Sequence, residues 1–279
     1  MLDQATRLRE IAEQYCERPR SPKPHIVTVT SGKGGVGKST IALNLAVRLA
    51  ELGNRTLIFD ADENLASIDI MMDTSPTLRL GNILRGENDL EQVIYSPLRN
   101  LCILPGNSGE CGYPKMTLEQ QNSLLNDIAE LDDRFDYLVI DTPAGIGEKI
   151  VNLAVHSHET IIVTTPEPTA VLDAYAMIKL ITLADEHLPL SLIVNNERTS
   201  GQAKETASKL QLAVARFLNR TVSYLGSIPY DPNVSTAILH QSPLLKEFPM
   251  SSASLSVHIL AERFMEQAAQ RQLRRFQTA

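Results

Sequence analysis

Ten consecutive residues, 31 to 40, read SGKGGVGKST, and within them Gly32, Gly37, Lys38 and Ser39 satisfy the phosphate-loop spacing G-x-x-x-x-G-K-S/T. Each position has a chemical reason. Gly32, Gly34, Gly35 and Gly37, with Val36 among them, are small enough for successive backbone N–H groups to curl around phosphate oxygens. A helix starting near Lys38 adds the positive end of its dipole, and the Lys38 ammonium reaches the β and γ phosphates. The Ser39 hydroxyl, with Thr40 beside it, is the natural ligand for Mg²⁺. Such a loop needs a strand before it and a helix after it. Residues 25 to 30, HIVTVT, are β-branched, and Ser39 to Leu52 has a helical pattern that stops at Gly53. The decapeptide therefore predicts a nucleoside triphosphate site.

Further polar groups follow apolar runs downstream. Residues 54 to 59 lead into Asp60-Ala61-Asp62, where Asp60 is assigned to hold Mg²⁺ through water and Asp62 to orient the attacking water. Acidic residues are common at strand ends, so the pair gains its meaning from the phosphate loop upstream. Residues 137 to 140 lead into Asp141-Thr142-Pro143-Ala144-Gly145, an apolar run ending in a carboxylate that supports the metal shell, with Gly145 placed to approach the terminal phosphate. Two later runs end in Asn195-Asn196 and in Pro229-Tyr230-Asp231. An Asn amide offers a donor and an acceptor to a base edge, and turn formation explains the same residues equally well.

The elements that must position these groups alternate. Strands are expected near 26–30, 56–60, 101–104, 137–141, 160–165, 190–195 and 223–228, with helical segments between them. This predicts an α/β fold, a doubly wound and mostly parallel sheet with helices on both faces, whose ligands sit at the carboxyl ends of the strands. The core is expected over residues 25 to 250. Residues 1 to 17 carry a helical stripe at Leu8, Ile11, Ala12 and Tyr15, with Asp3 as N-cap, and residues 18 to 24 form a stiff, basic, proline-rich linker. That helix either meets a partner or packs on the core. Residues 251 to 279 form a last helix with Leu255, Ile259, Phe264, Leu273 and Phe276 among arginines. It either touches a membrane surface or packs on the sheet.

Composition narrows the options. The 279 residues carry a formal charge of −7, which argues against general coating of nucleic acid. Cys16, Cys102 and Cys111 form no CxxC pair, which fits a reducing cytoplasm and offers no iron–sulfur or zinc ligand set. His156, His158 and Glu159 lie together with no further His or Cys close in sequence, which favours surface or packing roles over a metal site. No run approaches the roughly 18 apolar residues of a membrane span, and the first ten residues lack a signal-peptide core. A cytoplasmic protein, with the inner membrane face as its possible contact, is expected.

The loop GKGGVGKS, with its second lysine Lys33, resembles the deviant Walker A loop of the MinD/ParA group of P-loop ATPases. The DxD and DTPAG motifs, in the same order, extend the likeness over residues 25 to 265. The start Asp3-Gln4-Ala5, the stretch from Glu167 to Leu180, and Ile228-Pro229-Tyr230-Asp231 resemble the FlhG/FleN (YlxH) flagellar-number regulators. The resemblance implies a homodimer formed around ATP and Mg²⁺, in which Lys33 crosses to the partner's phosphates, Lys38 and Asp62 serve hydrolysis, and Asn195, Pro229 and Asp231 hold adenine. It implies partner binding through Asp3, Gln4 and Leu8, with an FlhF-type signal-recognition GTPase and flagellar switch proteins or a flagellar transcription activator as partners. One departure is that Glu63-Asn64 follows Asp62 where such proteins continue Leu-Gly. A nucleotide-gated scaffold with negligible turnover and a ParA-like DNA partition ATPase are the competing readings.

Overall fold

Period-two alternation within the apolar runs decides which helices cover which face of the sheet. In the computed structural model, which describes residues 24–62, 66–107, 115–131 and 134–278, Val27 and Val29 point to one core layer and Ile26 to the other. Ile58 divides from Leu57 and Phe59 in the same way, and Ile161 and Val163 from Ile162. Both faces are thus apolar, as in a parallel sheet covered on two sides. The strands are β1 His25–Thr30, β2 Thr56–Asp60, β3 Tyr95–Leu98, β4 Leu101–Leu104, β5 Tyr137–Asp141, β6 Glu159–Thr164, β7 Leu190–Glu197 and β8 Ser223–Pro229.

The helices of the described residues are α1 Lys38–Glu51, α2 Ile68–Met71, α3 Leu80–Leu84, α4 Leu90–Val93, α5 Leu118–Ala129 and α6 Glu148–Val155. They continue with α7 Pro168–Ala184, α8 Gln202–Leu218, α9 Pro232–Leu239, α10 Leu244–Glu247 and α11 Ser252–Thr278. The sheet order is β3-β4-β2-β5-β1-β6-β7-β8, parallel apart from β3. From β1 the chain moves outward to β2 on one side, and from β6 through β8 on the other. The order reverses at β1, so the crevice beyond its carboxyl end is where a ligand is expected.

The expected doubly wound architecture is what the chain adopts, with one strand added. β3 is a four-residue antiparallel edge strand containing Pro97. Proline cannot donate to a ladder and is confined to sheet edges, so this strand has no readable signature.

The last helix is built into the core. Ala253, Val257, Leu260, Ala261, Phe264 and Ala268 are buried, and the Phe264 ring lies 5.7 Å from that of His25 and 5.8 Å from that of Tyr137. It approaches β8 so closely that a Cβ on Gly226 would stand 2.7 Å from the Leu260 side chain. Near its end Arg271 pairs with Glu159, which opens β6 and is fully buried. Ser191 donates a 2.5 Å hydrogen bond to the same carboxylate. Leu255, Ile259 and Leu273 remain exposed. Among the described residues no helix is long and apolar enough to cross a membrane. Asp3, Gln4 and Leu8 with the expected N-terminal helix, most of the linker, and Glu63-Asn64 lie outside the described residues, as do the side chains of Arg274, Arg275 and Phe276.

Candidate functional site

The loop between β1 and α1 owes its shape to its glycines. Gly35 and Gly37 take left-handed backbone, φ 77° and 89°, which a side chain would strain. Gly32 lies so close to α7 that a Cβ would sit 2.3 Å from the Asp173 carbonyl oxygen. Gly37 is the N-cap of α1 and no side chain caps that helix, so its leading N–H groups are not taken by a cap. Ser31 closes the turn by donating from its hydroxyl to the Lys33 carbonyl at 3.0 Å.

The carboxylates gather beneath this loop because β1, β2 and β5 are neighbours in register: Val29 pairs with Asp141, and Asp60 with Asp141. Lys38 Nζ donates to Asp141 Oδ1 at 2.7 Å and to the Ser39 hydroxyl at 3.3 Å. Asp141 is 1% exposed and its second oxygen, Oδ2, has no hydrogen-bond partner. Asp60 is equally buried, and accepts from the backbone N–H of Asp62 at 3.2 Å, Ser67 at 2.8 Å and Ile68 at 3.0 Å.

Burial, and then the nearby Asp141 charge, push Asp60 up to about 7 despite those three N–H donors. Burial also raises Asp141, against the pull of the Lys38 ammonium and the Ser39 hydroxyl. Two buried carboxylates, of which only Asp141 pairs with the Lys38 ammonium, form a site short of positive charge. The orphaned Asp141 oxygen and the Ser39 hydroxyl fit a magnesium ion that takes its other ligands from phosphates and water. Among the described residues no three His, Cys, Asp or Glu side chains cluster as a self-sufficient metal site. Nucleotide entry would draw Lys38 from Asp141 to the phosphates, leaving Asp141 to face the metal shell.

Asp60 makes the fold sensitive to pH. Its folded value lies above the ordinary 3.8, so between about pH 4 and 7 the native state holds a proton that the unfolded chain has lost. Stability without nucleotide therefore falls as pH rises through this window, by at most about 1.4 kcal/mol per unit from this group. Asp60→Asn removes the term. Urea unfolding of both proteins from pH 4.5 to 7.5 in Mg-free buffer should show wild type losing stability relative to the variant; a constant gap between the curves would contradict the buried-carboxylate account.

The turn after β5 is tied to the phosphate-loop strand. Thr142 donates from its N–H to the Val29 carbonyl at 3.3 Å and from its hydroxyl to that of Thr30 at 3.0 Å. Gly145, at φ 102°, donates to the Ser31 carbonyl at 3.2 Å. Any shift of this turn moves the start of the phosphate loop with it.

Beside the loop lies a cavity of about 260 Å³, walled by Val36, Gly37, Asn195, Pro229, Asp231 and Val234. The Asn195 amide donates to the Val36 carbonyl at 2.8 Å. Asp231 is committed within the chain: it caps α9 through the Asn233 N–H at 3.0 Å and accepts from the Ala253 N–H and the Ser252 hydroxyl. Burial pushes its pKa up, but these donors together hold it below the ordinary carboxylate value, so it stays ionised. Its role is to hold the cavity wall by joining α9 to α11.

Lys33 points elsewhere. Its ammonium donates to Glu167 at 2.7 Å and to the Thr169 hydroxyl at 3.0 Å, both at the start of α7. The sequence reading missed these two partners, and also Thr165, whose buried hydroxyl has no partner and lines the cavity. All three follow β6, and inspection of that strand end would have found them.

Comparison with known proteins agrees with this fold. A family model described as an AAA domain matches residues 24–194. The antiactivator FleN of Pseudomonas aeruginosa is 33% identical over 238 residues, 85% of either chain. The flagellum site-determining protein YlxH of Helicobacter pylori is 32% identical over 84% of this chain and 80% of its own. Among solved structures, the septum site-determining protein MinD of Pyrococcus horikoshii, complexed with Mg-ADP, superposes with a TM-score of 0.76 at 28% identity, covering 88% of this chain and 97% of that one.

Proposed function

This chain belongs to the MinD-like P-loop ATPases, in the FlhG/FleN (YlxH) branch, and from that premise we propose that it is a dimerising switch that sets the number or placement of flagella. That it is an ATPase using ATP and Mg²⁺ follows from the family. The observation that carries the switch is the position of Lys33. Its ammonium is spent on Glu167 and Thr169 of its own chain, away from the pair of Lys38 with Asp141. Two such chains facing each other across the phosphate loops would each offer Lys33 to the other's terminal phosphate, where it stabilises the charge that develops on transfer.

In this reading Lys38 binds the β and γ phosphates, while Ser39, Asp60 and Asp141 hold the magnesium and its water shell. The metal supplies neutralisation of charge on the phosphate oxygens. Asp62, just past β2, orients the attacking water. Asn195, Pro229 and Asp231 line the adenine end. Loss of the terminal phosphate would be felt at the turn from Thr142 to Gly147, and through it at the dimer face.

The partners proposed are an FlhF-type GTPase reached through Asp3, Gln4 and Leu8, and flagellar switch proteins or a transcription activator. Support comes from the relatives: YlxH is named a flagellum site-determining protein and FleN an antiactivator. A second contact, with a membrane surface, is left to the residues beyond the Arg271 anchor, because the preceding turns of α11 are packed on the sheet.

Phosphate release per chain, followed as protein concentration rises, tests the switch. The specific rate should climb with concentration. Asp62→Ala should keep ATP affinity within a few-fold and release phosphate about 100-fold more slowly, the scale of a lost general-base role. A specific rate independent of concentration would refute action in trans. Counting flagella in a strain lacking the protein tests the biology separately.

A further inference from the structure

Asn195 touches two parts of the site at once, and the second part has no role in base recognition. It stands near the end of β7, where pairing with β8 shifts register between Asn195 and Glu197 and the next residue, Asn196, takes left-handed backbone at φ 64°. Irregularities of this kind re-aim side chains beside active sites. Here the side chain is turned onto the phosphate loop, which precedes it by 159 residues, and its amide nitrogen donates to the Val36 carbonyl at 2.8 Å. The fit leaves no slack: a Cβ on Gly37 would stand 2.3 Å from that nitrogen.

The consequence comes from the peptide plane. In a trans peptide the C=O and the following N–H point in opposite directions. Fixing the Val36 carbonyl toward β7 therefore fixes the Gly37 N–H away from β7. Gly37 offers no side chain to resist a flip, and its φ of 89° is accessible to glycine together with many other values. The amide bond from Asn195 is the restraint that selects one orientation of this peptide.

We infer that Asn195 is a positioning residue for the phosphate loop, which holds the Val36–Gly37 peptide so that the Gly37 N–H faces the phosphates. Because Asn195 also walls the cavity proposed for the base, a base seated there immobilises the side chain and tightens the grip on the phosphates. The inference rests on the nucleotide occupying this loop and goes beyond contact with adenine.

The test separates base from phosphate with two probes, Mg-tripolyphosphate and adenosine, titrated into the full chain. Asn195→Ala and Asn195→Asp both lose the donor to Val36, and the Asp variant keeps size and an acceptor. Both should bind tripolyphosphate about tenfold more weakly than wild type, although this probe has no base. Tripolyphosphate affinity unchanged within twofold, with ATP or adenosine binding weakened, would reduce Asn195 to a base contact and overturn the inference. A third measurement needs no variant, so misfolding cannot obscure it. Wild type should bind tripolyphosphate several-fold more tightly when saturated with adenosine, and equal affinity with and without adenosine would overturn the coupling. If neither probe binds while ATP does, the placement of phosphates and base fails, and the inference falls with it.

Discussion

Lys38→Ala is expected to raise the Kd for Mg-ATP at least about 100-fold and to abolish phosphate release. In the free protein the Lys38 ammonium already sits 2.7 Å from Asp141. Removing it takes away two or more charge-assisted hydrogen bonds to phosphate, each worth about 1.5–3 kcal/mol, and about 2.7 kcal/mol is a factor of 100 in affinity. It also leaves Asp60 and Asp141 buried near each other with no ammonium on Asp141, so that an incoming polyanion meets negative charge. The loss should therefore exceed that of a surface lysine in the same loop. Calorimetric titration with Mg-ATP, beside an unfolding curve, distinguishes lost binding from lost fold. A variant that stays folded and binds within tenfold of wild type would mean that the phosphates lie elsewhere.

Arg271→Ala is the largest expected effect on stability, a loss of about 3 kcal/mol. Glu159 is fully buried at the opposite end of the sheet from the nucleotide site, where Arg271 forms an ion pair with it and Ser191 donates a hydrogen bond. Burial raises this carboxyl, and the Arg271 guanidinium pulls it back down. Truncating the arginine strands the charge, whereas Glu159→Gln combined with Arg271→Ala removes both ends and should recover most of the loss. The destabilisation of the single variant should shrink as pH falls and Glu159 takes up a proton. Denaturant unfolding of the singles and the double measures this; a single variant within about 0.5 kcal/mol of wild type would show that packing of Phe264 and Ala268 alone holds the last helix. ATP affinity should be unchanged, since the pair is remote from the loop. Together these outcomes decide whether α11 can leave the sheet as a unit or only its end beyond Arg271 is available to a surface.

Much of the nucleotide end was legible because it is local. Gly32 to Ser39 fix a turn through backbone freedom and small size, and the structure places that turn between β1 and α1 as the spacing required. Asp60 and Asp141 could be found because a buried parallel strand announces itself as an apolar run, and the residue ending it must lie at the ligand edge. β3 was not legible, because four residues with a proline carry neither alternation nor length.

By itself the sequence determined the phosphate loop, the alternation of strands and helices apart from β3, and the carboxylates at the strand ends. Each depends on residues within a few positions of one another. Tertiary structure alone decided which distant groups meet: Lys33 with Glu167, Asn195 with Val36, Asp231 with Ser252 and Ala253, and Glu159 with Arg271. These pairings turn on strand order and register, which bring side chains from separate elements within hydrogen-bond reach, and no short-range pattern encodes a partner that only the folded sheet supplies.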